Sequence, residues 1–225
     1  MCFSASASFS AGAVLTVIGI ASIKKTQQPS QIPFASIPFV FGIQQITEGF
    51  VWLSLTDPAY AAMQSAATYI FLFIAQIVWP VWVPFSVAIL EKKTERKKLE
   101  RVIVLLGAVV SIYLAYCLLT FHVEARILGK HISYLQEYPQ GPKHYGGILY
   151  IIATVVPPFF SPLKRMWSLG LSILISYIIT TIFYEDYITS VWCFFAAVIS
   201  VTVLGVMQEV KRSSQKEVVV PAQSS

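Results

Sequence analysis

Seven long apolar runs, separated by short polar stretches, organise the chain from end to end. They fall at Ala7–Ile23, Ala35–Leu55, Ala67–Leu90, Val102–Phe121, Tyr145–Phe160, Trp167–Tyr184 and Tyr187–Met207. A helix needs about 20 mainly apolar residues to cross ~30 Å of hydrocarbon. Five runs reach or approach that length, and the first and fifth are shorter. Within lipid every backbone N–H and C=O needs an internal partner, so the runs predict helices. None shows the two-residue alternation of a membrane β-barrel strand. The expected fold is therefore all-α: a polytopic bundle of seven transmembrane helices over residues 1–208, followed by a disordered cytoplasmic tail over 209–225.

Composition agrees with that pattern. The 225 residues are 56% hydrophobic and only 12% charged, against about 25% charged in soluble domains. Mean hydropathy is +0.69. The net charge of +5 does not point to nucleic acid, because the cations sit in short clusters between apolar runs. Their distribution sets an orientation. Lys24, Lys25, the stretch "EKKTERKKLER", Lys164, Arg165, Lys211, Arg212 and Lys216 fall on one side, against Arg126, Lys130 and Lys143 on the other, a division of 13 to 3. Cytoplasmic loops are the Lys/Arg-rich ones. The N-terminus is thus expected outside and the C-terminus inside. "MCFSASASFSAG" has no basic stretch ahead of an apolar core, so it reads as the outer end of the first span rather than a signal peptide. Its small residues suit close helix packing.

Polar residues inside the runs are the candidate chemistry. Glu48, in "FGIQQITEGFVWL", is the one Asp, Glu, Lys, Arg or His deep in a run. A carboxylate there costs roughly 2.5–3.5 kcal/mol on insertion scales unless paired or neutral. Gln44 lies one turn away and Gln45 three residues away. Two readings stand: a polar pocket opening outward and floored by Glu48, or a helix–helix hydrogen-bond clamp. Gln76 falls at a similar depth. "WPVWVP" places Trp79 and Trp82 around Pro80 and Pro84, which should bend the helix. In the long polar stretch after the fourth run, "GKHISY" suggests a short strand or lid that brings His131 and Tyr134 to the pocket mouth. Expected ligand-binding residues are thus Glu48, Gln44, Gln45, Gln76, Trp79, His131 and Tyr134. Cys2, His122, His131 and His144 are the foremost candidate metal ligands, with Glu124, Glu137, Glu185 and Asp186 on the same side, but no pair has the helical spacing of a zinc site. The sequence leaves the cofactor unknown. The last run has no lysine for a retinal Schiff base, and no run has a central histidine for haem.

"MCFSASASF", "FGIQQITEGFVWL", "WPVWVP", "GKHISY" and "SVWCFF" together resemble a family of bacterial seven-span membrane proteins that begin MCFSA and have no assigned function. That resemblance implies a bacterial inner-membrane protein in contact with lipids, and supplies no catalytic role. It draws attention to Cys2, Gln45, Glu48, Trp79, His131 and Trp192. Function classes that fit are a small-ligand sensor or transporter, a metal-dependent hydrolase acting on lipid, and a structural subunit of a membrane complex.

Overall fold

The computed structural model describes residues 4–91, 94–139, 143–161, 163, 165–183, 189–190 and 195–219. They are mostly helical. The helices are α1 (Ala5–Ile23), α2 (Ile32–Ala35), α3 (Ile37–Thr56), α4 (Gln64–Leu72), α5 (Trp79–Leu90), α6 (Thr94–Thr120), α7 (Lys143–Val155), α8 (Pro157–Phe160), α9 (Met166–Phe183) and α10 (Ala196–Val219). Short 3-10 turns lead into α2 and α4, and a π-helical segment, Phe73–Val78, joins α4 to α5. Four helices are long and apolar enough to cross a membrane: Ala5–Ile23, Pro58–Leu90, Arg96–Thr120 and Met166–Phe183. A shorter apolar helix spans Gly147–Phe160.

The surface of these helices is inverted relative to a water-soluble bundle. On α6, Val102, Leu105, Val109, Ile112, Tyr116 and Leu119 are all exposed, Leu119 by 81%. They recur every three or four residues and form one continuous outward stripe. Trp167, Leu171, Ile175, Ile178 and Ile182 make the same stripe on α9. Meanwhile Gln44, Gln45 and Glu48 are buried. Apolar faces outward and carboxamides inward are what a hydrocarbon solvent selects.

Small residues bring α1 against α3. Ser8, Gly12, Leu15, Gly19 and Ser22 form the buried face of α1. A Cβ on Gly12 would lie 2.6 Å from Ile46, and one on Gly19 would lie 2.6 Å from the Phe39 backbone. Ser4 caps α1, its hydroxyl accepting from the Ala7 N–H at 3.2 Å.

Two prolines explain the irregular fourth and fifth helices. Pro80 has no N–H to give to the preceding turn, and the segment before it adopts the wider i→i+5 geometry. The Ala75 carbonyl instead accepts from the Tyr150 hydroxyl at 2.6 Å, and the Ile77 carbonyl from Ser111 at 2.7 Å. Both bonds tie the π segment to neighbouring helices. Pro84 in turn leaves the Pro80 carbonyl without its helical donor. Gly107 of α6 packs against that carbonyl so closely that a Cβ would collide with it.

Two departures from the expected fold stand out. The chain is not all-α: β1 (Val123–Leu128) and β2 (His131–Gln136), the latter beginning within "GKHISY" where a short strand is expected, pair antiparallel, with Leu128 opposite His131. Gly129, at φ +62°, opens the two-residue turn, as a type II′ hairpin requires of its first central residue. The second departure is at the C-terminal end. α10 continues to Val219, so 209–219, expected as disordered tail, are helical. Glu, Lys, Gln and Arg favour helix there, and Val210 anchors that part of α10 in the core.

The two ends of the bundle differ in character. Trp82 Nε1 donates to the Pro33 carbonyl, Arg96 reaches the Phe160 carbonyl, and Arg165 binds the Gly205 carbonyl and Glu209. These bonds gather the basic segments at one end. The hairpin closes the other. Ala125 and Ile132 pack on Val51, Trp52 and Ala67, and Tyr134 stacks on Phe71 with ring centroids 4.8 Å apart.

Candidate functional site

The polar stripe of α3 is split between two surroundings. Glu48 is fully buried. Its Oε2 accepts from Gln45 Nε2 at 3.2 Å and its Oε1 from the Ser190 hydroxyl at 2.6 Å. Glu48 lies eight residues from Thr56, about 12 Å below the hairpin end of α3 at helical rise. One turn earlier, Gln44 turns to a different partner: its Oε1 accepts from Trp79 Nε1 at 2.8 Å. Trp79 is held further by stacking on Phe41, with centroids 4.1 Å apart.

Gln44 and Trp79 form part of the wall of a central cavity of about 400 Å³. Volumes in this range hold small-molecule ligands. The π segment contributes Ala75 and Gln76, α6 Tyr113, α7 Gly147 and Tyr150, α9 Ile173 and Tyr177, and α10 Ile199. The wall is dominated by aromatic and aliphatic side chains, and among the described residues no Asp, Glu, Lys, Arg or His is part of it.

A polar cluster links this cavity to the hairpin. Gln76 Nε2 donates to Gln136 Oε1 at 2.7 Å, and the Tyr138 hydroxyl donates to the same oxygen at 2.9 Å. Burial pushes the Tyr138 phenol up to about 12, so it remains a neutral donor at any physiological pH. The end of β2 therefore reports directly on Gln76.

The expected site residues are thus only partly brought together. Gln44, Gln76 and Trp79 share the cavity wall. Glu48 and Gln45 lie behind it, joined to each other and to Ser190. Tyr134 is in the hairpin packing on Phe71. His131 sits at the hairpin turn, and burial lowers its imidazole below the usual value. His122 precedes β1, at the opposite end of the strands. At ~3.3 Å per residue the two histidines are about 20 Å apart along the hairpin, too far to share one ion. Cys2 and Trp192 lie outside the described residues, as does the side chain of His144. Among the described residues no group of three His, Cys, Asp or Glu side chains is placed to hold a metal.

Sequence reasoning missed Tyr113, Tyr138, Tyr150, Tyr177 and Ser190. The tyrosines carried a usable signal, since Tyr113, Tyr150 and Tyr177 fall inside apolar runs instead of at their ends. Ser190 carried none, because a serine in a membrane helix ordinarily bonds its own backbone.

These features can be set beside known proteins. The family of unknown function DUF6629 matches residues 1–218. The chain belongs to that family. Because the match covers α1 to α10, the cavity and the Glu48 cluster are both features of the family's domain in this chain. No curated protein and no solved structure matches it.

Proposed function

We propose that this protein is a seven-span protein of a bacterial cytoplasmic membrane, with its N-terminus outside, that binds a small molecule in its central cavity in order to sense or transport it. The observation that carries this reading is the cavity itself. It is about 400 Å³, is lined by residues of α3, α5, α6, α7, α9 and α10, and is polarised at a few points by Gln44, Gln76 and tyrosines. A wall of aromatic side chains with a few placed polar groups is the usual make-up of a ligand site. Three further segments complete seven spans: α3, which carries Glu48; the α7–α8 pair; and the last apolar run, Tyr187–Met207, whose described part lies largely in α10. The basic end of the bundle supports a cytoplasmic assignment by the Lys/Arg rule. In this reading the Glu48 cluster braces the cavity wall from behind, and lipids cover the outward apolar stripes.

Gly147 supplies the test. It lines the cavity, and a Cβ there would meet nothing within 4 Å. Gly147→Phe should therefore fold and add bulk at the cavity wall. Native mass spectrometry of protein released from its own membrane should find a small molecule on the natural chain and lose it from the variant. Equal occupancy in both, or none in either, would leave a structural subunit as the better account.

A further inference from the structure

Two wall side chains of the cavity, Gln76 and Tyr113, each hold a buried oxygen without a hydrogen-bond partner among the described residues, and Gln76 is the one set in the π-helical segment. Gln76 spends its amide N–H groups on Gln136 and Tyr138. Its Oε1 is buried and has no hydrogen-bond partner among the described residues. Buried carbonyl oxygens nearly always have a donor, and an unmet one inside a low-dielectric bundle is costly. Gln76 also lies in the π-helical segment, whose register Pro80 and the Tyr150 and Ser111 bonds set. Such segments in otherwise regular helices are frequent at functional sites.

From these observations we infer that the cavity takes an uncharged amphiphile carrying a hydroxyl group, with that hydroxyl donating to Gln76 Oε1 and its apolar body lying against Trp79, Phe41 and Ile173. This rests on the ligand-binding reading above. Three features define the class. Among the described residues the wall has no charged side chain, so an ionised ligand would find no counter-charge there to offset its desolvation. Phe41 and Trp79 are stacked and held by Gln44, which gives a rigid apolar face suited to a flat or elongated hydrocarbon. The free acceptor at Gln76 requires a donor, which a hydroxyl provides and an ether or ester does not. The Gln76–Gln136–Tyr138 cluster then couples occupancy to the hairpin, because the same side chain faces the ligand and holds β2.

The test uses the full chain in lipid nanodiscs, with empty nanodiscs subtracted. Binding of radiolabelled para-octylphenol is measured in competition with unlabelled phenol, its methyl ether and para-octylbenzoate. The phenol should bind roughly three- to tenfold more tightly than the ether, the range one hydrogen bond supplies, and the benzoate should not compete. Gln76→Met keeps the volume and removes the acceptor, so it should bind phenol and ether alike. Equal affinity for phenol and ether on the natural chain would overturn the hydroxyl assignment, as a water capping Gln76 would produce, while leaving the cavity reading intact. Effective competition by the benzoate would overturn the uncharged class. Failure of both neutral probes to bind, or undiminished binding to Gly147→Phe, would overturn the cavity reading and this inference with it. The phenol–ether comparison needs no variant, so it decides the matter even if Gln76→Met does not fold.

Discussion

The Ser190 hydroxyl donates to Glu48 Oε1 at 2.6 Å, across 142 residues of sequence. It fastens the buried acid of α3 to the region leading into the last helix. Ser190→Ala leaves a carboxyl oxygen of a fully buried side chain without this donor, and should destabilise the protein by about 1–3 kcal/mol. Thermal unfolding of Ser190→Ala, Glu48→Gln and the double variant checks it. The two changes should be strongly non-additive. Simple additivity would mean that the pair does not act as a unit.

Gly107 and Gly147 should respond oppositely to an added methyl. Gly107 faces the Pro80 carbonyl at a distance no Cβ can share, whereas Gly147 faces open space. Gly107→Ala should cost at least about 1–3 kcal/mol through overpacking. Gly147→Ala should be neutral or slightly stabilising, since alanine is the better helix former. Equal melting temperatures for the two variants would contradict the contact between α5 and α6.

Trp79→Phe removes the indole donor to Gln44 and keeps an aromatic ring beside Phe41. A loss of about 1–3 kcal/mol is expected from the buried Gln44 oxygen. The tryptophan emission should also lose a blue-shifted component, because Trp79 is 6% exposed. An unchanged spectrum would place Trp79 in a polar environment and count against the apolar wall.

Acid should loosen the hairpin through His131. Burial lowers the pKa of this imidazole from its ordinary 6.5. Between the lowered value and 6.5 the unfolded chain therefore binds more protons than the folded one. The neutral histidine's contribution is complete above 6.5 and is lost as pH falls through the folded value. Amide protection over β2, corrected for intrinsic exchange, should fall as the pH drops below 6.5. His131→Gln should flatten that dependence, and an equally steep loss in the variant would assign it to another group.

Single cysteines introduced at Leu128 and Lys98 test the orientation, in a chain whose three native cysteines have been replaced. Both positions are exposed, one in the hairpin and one at the basic end. An impermeant thiol reagent added to intact cells should label the first and spare the second. The reverse labelling would invert the proposed topology and place the hairpin in the cytoplasm.

The sequence by itself determined the membrane character and the unusual residues of this protein. Run length and hydrophobicity are local properties, and the cost of a polar group in hydrocarbon applies wherever the helix later packs. That is why "FGIQQITEGFVWL" exposed Glu48, Gln44 and Gln45, and why "WPVWVP" foretold an irregular helix. Tertiary structure decided how these parts are shared out. Gln44 and Glu48 are one turn apart on α3, yet Gln44 meets Trp79 at the cavity wall while Glu48 meets Ser190 behind it. The identity of such a partner depends on the rotation and register of helices far apart in the chain, which no local pattern records. The same holds for the Gln76 oxygen. Its isolation comes from Gln136 and Tyr138 claiming the other half of the amide, and those residues arrive only when the hairpin folds back onto the bundle.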